Sequence, residues 1–458
     1  MEKIQCQVAK SKSEIIDYLV RTILSLITLF FIFSTGKAYA VPGYARQTGL
    51  SCTACHSVFP ELTSFGRQFK LNGYTLTSIN TVNATNDKDK EKLKILTISA
   101  ISAMVQSSFS SISKEIPETQ NNNVDFPQQL SLFYAGEVTP HIGAFIQITY
   151  DGQDGSIGMD NIDLRYYHQA QIGTKELLCG LTLNNNPTVQ DIWNSTPAWG
   201  YPYASSEEEP SPIAATLIED AFGQQVAGLG AFALFQNTVY GEVSVYRSVQ
   251  QGVAQPPGAD VSMYMKGVTP YWRVALQHQW SNIFLELGTF GLTSKLYPEG
   301  ISGLTDQYTD IGLDLQYEYS GANTIFSFHT SWINENQSLD ATYDMGGSAS
   351  ENYNLKSYKA DASVYRHNSC GLTLGYFSVS GNTNTGMFGP SPVEGSRLQK
   401  PNTSGFIGQL SFLPWYNTKF AIQYTMFTKF NGAGDNYDGS GRNASDNNTL
   451  YLLTWINF

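Results

Sequence analysis

From residue 95 to residue 458 the chain alternates apolar and polar side chains with a period of two, segment after segment. In residues 310–319, DIGLDLQYEY, one set is Ile311, Leu313, Leu315, Tyr317 and Tyr319. The other is Asp310, Gly312, Asp314, Gln316 and Glu318. Trp272, Val274, Leu276 and Trp280 alternate with Arg273, Gln277 and Gln279. Phe420, Ile422, Tyr424 and Met426 alternate with Ala421, Gln423 and Thr425. Successive side chains of a strand point to opposite faces, so each segment predicts a strand with one apolar and one polar face. Sixteen such segments lie near 95–109, 129–138, 142–151, 161–172, 174–184, 226–236, 238–248, 270–280, 282–292, 307–319, 322–333, 353–366, 369–379, 402–412, 417–428 and 447–458. An even number lets an antiparallel sheet close into a barrel with both chain ends on one side.

The connections follow a second rule. After every even-numbered segment up to the fourteenth they are short: Pro140-His141, Gly173, Asn237, Ser281, Gly321, Asn368 and the stretch 413–416. After the odd-numbered segments they are mostly long. Short turns at one rim and long loops at the other are the pattern of an outer-membrane barrel; a soluble β-sandwich has no reason to produce it. The alternating YLLTWINF ending at Phe458 resembles the assembly signal of such barrels. A barrel of this strand number leaves an aqueous lumen.

Composition agrees. Charged residues are only 14%, against a usual quarter, while the chain holds 27 Tyr, 25 Phe and 40 Gly. The first 40 residues read as a signal peptide. Lys3, Lys10, Lys12 and Arg21 precede the apolar run TILSLITLFFIF, and Ala38-Tyr39-Ala40 forms an A-x-A cleavage site. These residues carry five Lys/Arg of 27 and three Asp/Glu of 39, so residues 41–458 hold 22 basic against 36 acidic, a net charge of −14. That excludes nucleic acid as a natural partner and favours cations.

Residues 51–56 read Ser-Cys-Thr-Ala-Cys-His. The spacing C-x-x-C-H is that of c-type haem attachment, in which two thiols bond the porphyrin and the adjacent imidazole ligates iron. Cys52 and Cys55 are the expected thioether residues of one covalent haem c, and His56 the expected proximal ligand. A redox dithiol or half a zinc site are the alternatives; no second ligand pair lies nearby. Some forty residues bury a haem poorly alone, so the barrel wall is expected to supply the rest. The expected fold is all-β: a 16-stranded antiparallel outer-membrane β-barrel with a small N-terminal α-helical c-type haem plug. Its parts are a signal peptide (1–40), a monohaem cytochrome c segment (41–79), a linker (80–94) and a porin-like barrel (95–458).

The stretch VPGYARQTGLSCTACHSVFPELTSFGRQFKLNGYTL, together with the barrel behind it, resembles the fused monohaem cytochrome–porin family of the bacterial outer membrane. The match is close from Pro42 to about Leu76 and looser in NNNPTVQDIWNSTPAWGYPYA (184–204). The best-known members are iron oxidases. The resemblance implies electron transfer across the outer membrane, from extracellular Fe(II) to a periplasmic carrier such as a soluble cytochrome c, with outer-membrane lipid around the barrel. Members also occur in bacteria not known to oxidise iron, so the resemblance speaks more to the family than to the donor. The alternative is a porin or channel whose haem segment is a structural or redox-gated plug.

Residues 41–94 contain no Met or second His for the far side of the iron. Strand parity turns Met104 inward with Ser102 and Gln106, and His329 inward with Ser327 and Ser331; both are distal-ligand candidates and both fit a plain lumen-lining role. Phe59, Phe65 and Phe69 are expected to pack on the cofactor or its helix, with Leu62, Phe65 and Phe69 on one stripe of a helix that stops at Asn72-Gly73. Arg46, Arg67 and Lys70 suit haem propionates or lumen-wall ion pairs equally. The connection 184–225 is the third long loop, which in general porins folds inward. Its Asp191, Glu207, Glu208 and Glu209 suit either a cation site or a solvated acidic loop. Cys179 and Cys370, on strands eight apart, are expected as unpaired thiols on the apolar face.

Overall fold

The computed structural model describes residues 43–76, 81–83, 94–96, 99–152, 155–220, 222–248 and 264–458. The expected signal peptide and most of the expected linker lie outside them. Sixteen long strands form one antiparallel sheet. They are β1 (Ile101–Ile112), β2 (Asn123–Thr139), β3 (Ile142–Asp151), β4 (Ser156–Ile172), β5 (Lys175–Asn184), β6 (Val226–Phe235), β7 (Val239–Ser248) and β8 (Thr269–Trp280). There follow β9 (Ile283–Tyr297), β10 (Asp306–Ser320), β11 (Thr324–Ser338), β12 (Asn352–Arg366), β13 (Cys370–Gly381), β14 (Thr403–Trp415), β15 (Thr418–Lys429) and β16 (Thr449–Asn457). Each pairs with the next, and β16 returns to β1 with Asn457 opposite Met104 and Tyr451 opposite Ser110. The barrel is therefore closed, and the main sheet leaves no long unpaired edge. A short extra strand, Tyr264–Met265, joins β9.

All sixteen expected segments appear as strands. The first differs at its start: the barrel ladder begins at Ile101, not at residue 95. Lys94–Leu96 instead pairs with Thr81–Asn83, inside the expected linker. On β2, Ile101 stands opposite Tyr134, and the next carbonyl along, Ala135 O, accepts from Gln47 Nε2 of the N-terminal segment (2.8 Å), so that segment takes the place of an earlier start of β1.

The polarity of the barrel is inside-out relative to a water-soluble protein. On β10 Leu313 is 50% exposed while its neighbour Asp314 is 2% exposed. The same holds around the sheet, with Leu229, Val243, Val274, Leu287, Leu374 and Leu410 outside. Gln106, Thr182, Glu242, Arg273, Glu286, Gln316 and Glu335 are buried inside. Trp280, Tyr319 and Tyr416 are exposed near the short-turn rim. The turns there are built for tight reversal. Gln236 and Asn237 both take positive φ (50° and 52°), as do His367 and Asn368, the two-residue turn whose twist matches a hairpin.

Two pieces of chain pack against the inner face of the sheet. One is the N-terminal segment, with helices α1 (Gly43–Thr48), α2 (Cys52–Cys55) and α3 (Ser64–Leu71). Thr63 caps α3 by accepting from Gly66 N at 3.1 Å, and the helix ends at Asn72 before Gly73 at φ 59°. The other is the connection between β5 and β6. It folds inward and binds the wall through its own backbone: Leu217 N donates to Glu335 Oε2 (2.6 Å) and Ile218 N to Asp310 Oδ2 (2.9 Å). Trp193 Nε1 donates to Gln277 Oε1 (2.9 Å). These contacts give the inner-face carboxylates and amides partners that they would otherwise find in water.

Candidate functional site: a cavity at the short-turn end of the lumen

A cavity of about 460 Å³ lies between the N-terminal segment, the inward loop and the wall. It is of the size that holds a cofactor-sized ligand. Tyr416 and Asn417 of a short turn, Asn457 at the end of β16 and Ser102 at the start of β1 line it, so it sits toward the short-turn rim. Cys52, Cys55 and His56 line it together. Around them stand Phe59, Phe65, Phe69, Phe133, Phe145, Trp199, Tyr203 and Trp455.

The local fold explains why these residues converge. Cys52 to Cys55 form one helical turn, and His56 N closes it on Cys52 O at 2.8 Å. Thr63 Oγ1 donates to Ala54 O (2.6 Å) and Thr63 N to Cys55 O (2.9 Å), so the cap of α3 also holds α2. Gly66 permits the approach: a Cβ there would lie 2.1 Å from Cys55 O. Phe59 packs edge-on against both His56 (5.2 Å between rings) and Trp455 (5.1 Å), tying the motif to β16.

The electrostatics separate the readings of the motif. Burial pushes both thiols up to about 11, Cys52 by desolvation alone and Cys55 with Cys52 beside it. A reactive dithiol needs the opposite shift. Cys52 and Cys55 are not joined in a disulfide. No three His, Cys, Asp or Glu side chains among the described residues are placed to chelate a metal ion, so the zinc alternative has no ligand set there. The donor set does suit a c-type haem: two thiols one helical turn apart and an adjacent imidazole on one aromatic-lined cavity. The His56 Nδ1 lies 3.2 Å from Pro60 O. Donating its Nδ1 proton there leaves Nε2 as the ring's lone-pair nitrogen, the arrangement that orients a metal-binding histidine.

The remaining candidates divide. Met104 is buried on β1 and lines the cavity with Ser102 and Gln106. His329 is buried on β11 but is not among the lining residues; its Nδ1 is 3.1 Å from Asp361 Oδ2. Lys70 lines the cavity, with Nζ donating to Val189 O (2.8 Å) and Asp191 O (2.7 Å) of the inward loop. Desolvation, with Arg165 nearby, pulls its amine down to about 7. Arg67 turns to the wall instead, 3.3 Å from Glu318 Oε2 and over the Phe284 ring. Arg46 donates to Ile101 O. In the loop, Glu208 accepts from Asn123 and Ser206, Glu207 from Gln128, and Glu209 from Thr425 and Thr449. Asp191 is structural: its carboxylate accepts from the backbone N–H of Trp193, Ser195 and Thr196 and stands 3.6 Å from Arg273. Cys370 is exposed and Cys179 half-buried, without a disulfide. The aromatic wall from Phe133, Phe145, Trp199 and Trp455 is absent from the sequence reading, because nothing in the sequence marks which stretch of wall faces the motif.

No family model matches the chain, and no curated protein matches it. Several solved structures do. The anion-selective porin from Comamonas acidovorans is 12% identical, with 78% of this chain and 98% of that chain covered and a TM-score of 0.42. The outer membrane channel DcaP of Acinetobacter baumannii gives 11%, 78%, 96% and 0.43. Salmonella typhi OmpF, in a complex with daunomycin, gives 9%, 78%, 97% and 0.43. These are similarities of fold at low identity. The assignment of compartment stands on this chain's own sheet. A closed barrel with leucines outside and carboxylates inside has its apolar face satisfied by lipid and every ladder hydrogen bond made internally. The protein is a bacterial outer-membrane β-barrel. Its short turns mark the periplasmic rim and its long connections the outer surface, so the cavity lies on the periplasmic side of the lumen.

Proposed function

We propose that this outer-membrane barrel carries electrons between the cell exterior and a periplasmic carrier on one haem c held by Cys52 and Cys55, with His56 on the iron. The observation that carries the reading is the joint placement of these three side chains on one aromatic-lined cavity inside the lumen. The Nδ1 of His56 beside Pro60 O supports it. Bound there, the haem supplies one-electron chemistry. The chain's own part is to exclude water with Phe59, Phe69, Trp199 and Trp455 and to hold the imbalance of charge low. Lys70 is the basic side chain at the cavity, which suits a propionate. The position near the periplasmic rim favours exchange with a soluble periplasmic cytochrome. The resemblance of residues 42–76 to the cytochrome–porin family makes Fe(II) the donor to test first.

The test is direct. Purified protein should stain for haem after denaturing electrophoresis and show a c-type pyridine haemochrome at one haem per chain. Cys52→Ala/Cys55→Ala should lose both while still folding as a barrel. Stopped-flow mixing of the oxidised protein with Fe(II) should reduce it quickly. Absence of covalent haem from protein matured in a host that attaches it would end this reading.

The porin fold itself favours a second reading, a channel whose N-terminal segment is a plug. It predicts steady conductance in planar bilayers. The electron-transfer reading predicts a closed lumen with little conductance.

A further inference from the structure

The outer face of the sheet carries a charge pattern of its own. Arg247 closes the outward series Val243, Val245 of β7, and Lys295 closes the outward series Leu285, Leu287, Thr293 of β9. Lys266 follows the short extra strand that runs into β8, the strand between them. Its backbone N–H donates to Lys295 O (2.8 Å), while Tyr246, next to Arg247, pairs with Thr269. All three cations are exposed. The backbone is bent to place them. From Met265 to Tyr271 the chain takes six steps, and its partner takes four, from Leu296 to Leu292. Gly267 stands in this bulge at φ 85°. Bulges re-aim side chains, and this one leaves Met265 buried and Lys266 exposed beside Lys295.

Like charges side by side in a sheet repel. None of the three has an ion pair among the described residues. The acids of β7 to β10 give no relief: Glu242, Glu286, Asp306, Asp310, Asp314 and Glu318 are all buried on the inner face. Glu299, in the connection after β9, is exposed and not paired with them. A chain with 22 basic against 36 acidic residues in 41–458 thus gathers three uncompensated cations on the face that it turns to lipid.

Their height identifies what surrounds them. Lys295 lies twelve positions beyond Ile283, which opens β9 after a short turn. At about 3.3 Å per residue and a strand tilt of about 40°, that is a rise of roughly 30 Å, just past an apolar band of about 25 Å. The short turns are periplasmic, so this is the headgroup level of the outer leaflet. Val243, Val245 and Trp272 are exposed on the same two strands toward the periplasmic side. We propose that Arg247, Lys266 and Lys295 form a binding site for the phosphate groups of an outer-leaflet glycolipid, whose acyl chains lie along Val243, Val245 and Trp272. Phosphate oxygens accept charge-assisted hydrogen bonds from such side chains, and clustered Lys and Arg at a membrane surface hold anionic headgroups. The apolar shelf serves a lipid and not a free phosphate ion. The site depends on the barrel and its compartment, and stands apart from the electron-transfer reading.

The probe is diphosphoryl lipid A, titrated into the full-length protein in detergent and counted by native mass spectrometry. The expected result is one saturable molecule per barrel. Arg247→Gln/Lys266→Gln/Lys295→Gln should weaken binding by about a hundredfold, at roughly fivefold for each charge near a membrane surface. Monophosphoryl lipid A should bind severalfold more weakly than the diphosphoryl form. Lys356→Gln is the control. It removes an exposed outward cation of β12 that stands opposite Asn334 with no cation beside it, and it should leave binding unchanged. Heat-modifiable mobility on gels shows that each variant is a folded barrel. Three results overturn the proposal: a folded triple variant that binds lipid A as tightly as the parent, a Lys356→Gln loss as large as that of the triple variant, or displacement of the lipid by inorganic phosphate. The last would mark an ion site that does not recognise a lipid.

Discussion

The guanidinium of Arg273 lies 2.6 Å from Asp314 and 3.2 Å from Glu286 on the inner wall, and 3.6 Å from Asp191 of the inward loop. One buried cation thus joins three strands to the inward loop. Removing one partner of such a buried set leaves the rest uncompensated. Arg273→Met is expected to cost about 3–5 kcal/mol, read as a lower urea midpoint in lipid vesicles. It should also raise single-channel conductance, because the loop keeps only the Trp193–Gln277 hydrogen bond of its two described ties to β8. Unchanged conductance with an unchanged midpoint would show that the loop is held elsewhere.

Gly66 is where the helix after the motif touches the motif. With Cys55 O only 2.1 Å from the position of an added Cβ, backbone stands on both sides and neither can yield by a rotamer change. Gly66→Ala should separate α3 from α2 and lower the haem-to-protein ratio severalfold. The barrel, which shares none of this packing, should keep its heat-modifiable mobility on gels. Full haem occupancy in this variant would contradict the described contact.

Much of this was legible in residues that obey a period. The polar set Asp310, Asp314, Gln316 and Glu318 was read as one face of a strand, and it is the inner face. The turn at Asn237 and the stop at Asn72-Gly73 announced themselves by their need for unusual backbone angles. What escaped was aperiodic. Nothing local in GYPYA tells that Tyr203 lines the cavity of the motif, because the loop's path is set by wall contacts from Gln277, Asp310 and Glu335, far away in sequence. Arg67 could not be assigned between a propionate and the wall, since the choice depends on Glu318, 251 positions on. The start of β1 at Ile101 has a similar cause: the next carbonyl on β2, Ala135 O, is bonded by Gln47, far away in sequence.

The inside-out polarity makes its own prediction. Leu313 sits midway along β10 with its side chain on the outer face. Leu313→Arg should destabilise the barrel in lipid by about 2–4 kcal/mol, the cost of a charge at the bilayer midplane. The same substitution at an outer-face position near a rim, Ile101→Arg, should cost about 0–1 kcal/mol. Reversible urea unfolding in vesicles measures both. Equal effects would place the membrane band elsewhere on the wall.

Lys70 gives a pH dependence whose sign can be worked out. Its amine titrates at about 7 in the folded protein, because burial and Arg165 disfavour the charge; unfolded it titrates near 10.4. Between these values the unfolded chain binds more protons than the folded one, so stability rises with pH from about 7 to about 10 and is flat beyond. The two carbonyl acceptors, Val189 O and Asp191 O, match the two N–H donors of a neutral amine. Lys70→Met should therefore flatten the rise of the urea midpoint over that window, with a loss at alkaline pH where the two carbonyls lose their donor. A cofactor carboxylate beside Lys70 favours the charged amine, so the slope should be steeper in Cys52→Ala/Cys55→Ala than in the haem-bearing protein. Equal slopes in the two would remove Lys70 as the partner of a propionate and leave it as a clamp between α3 and the inward loop.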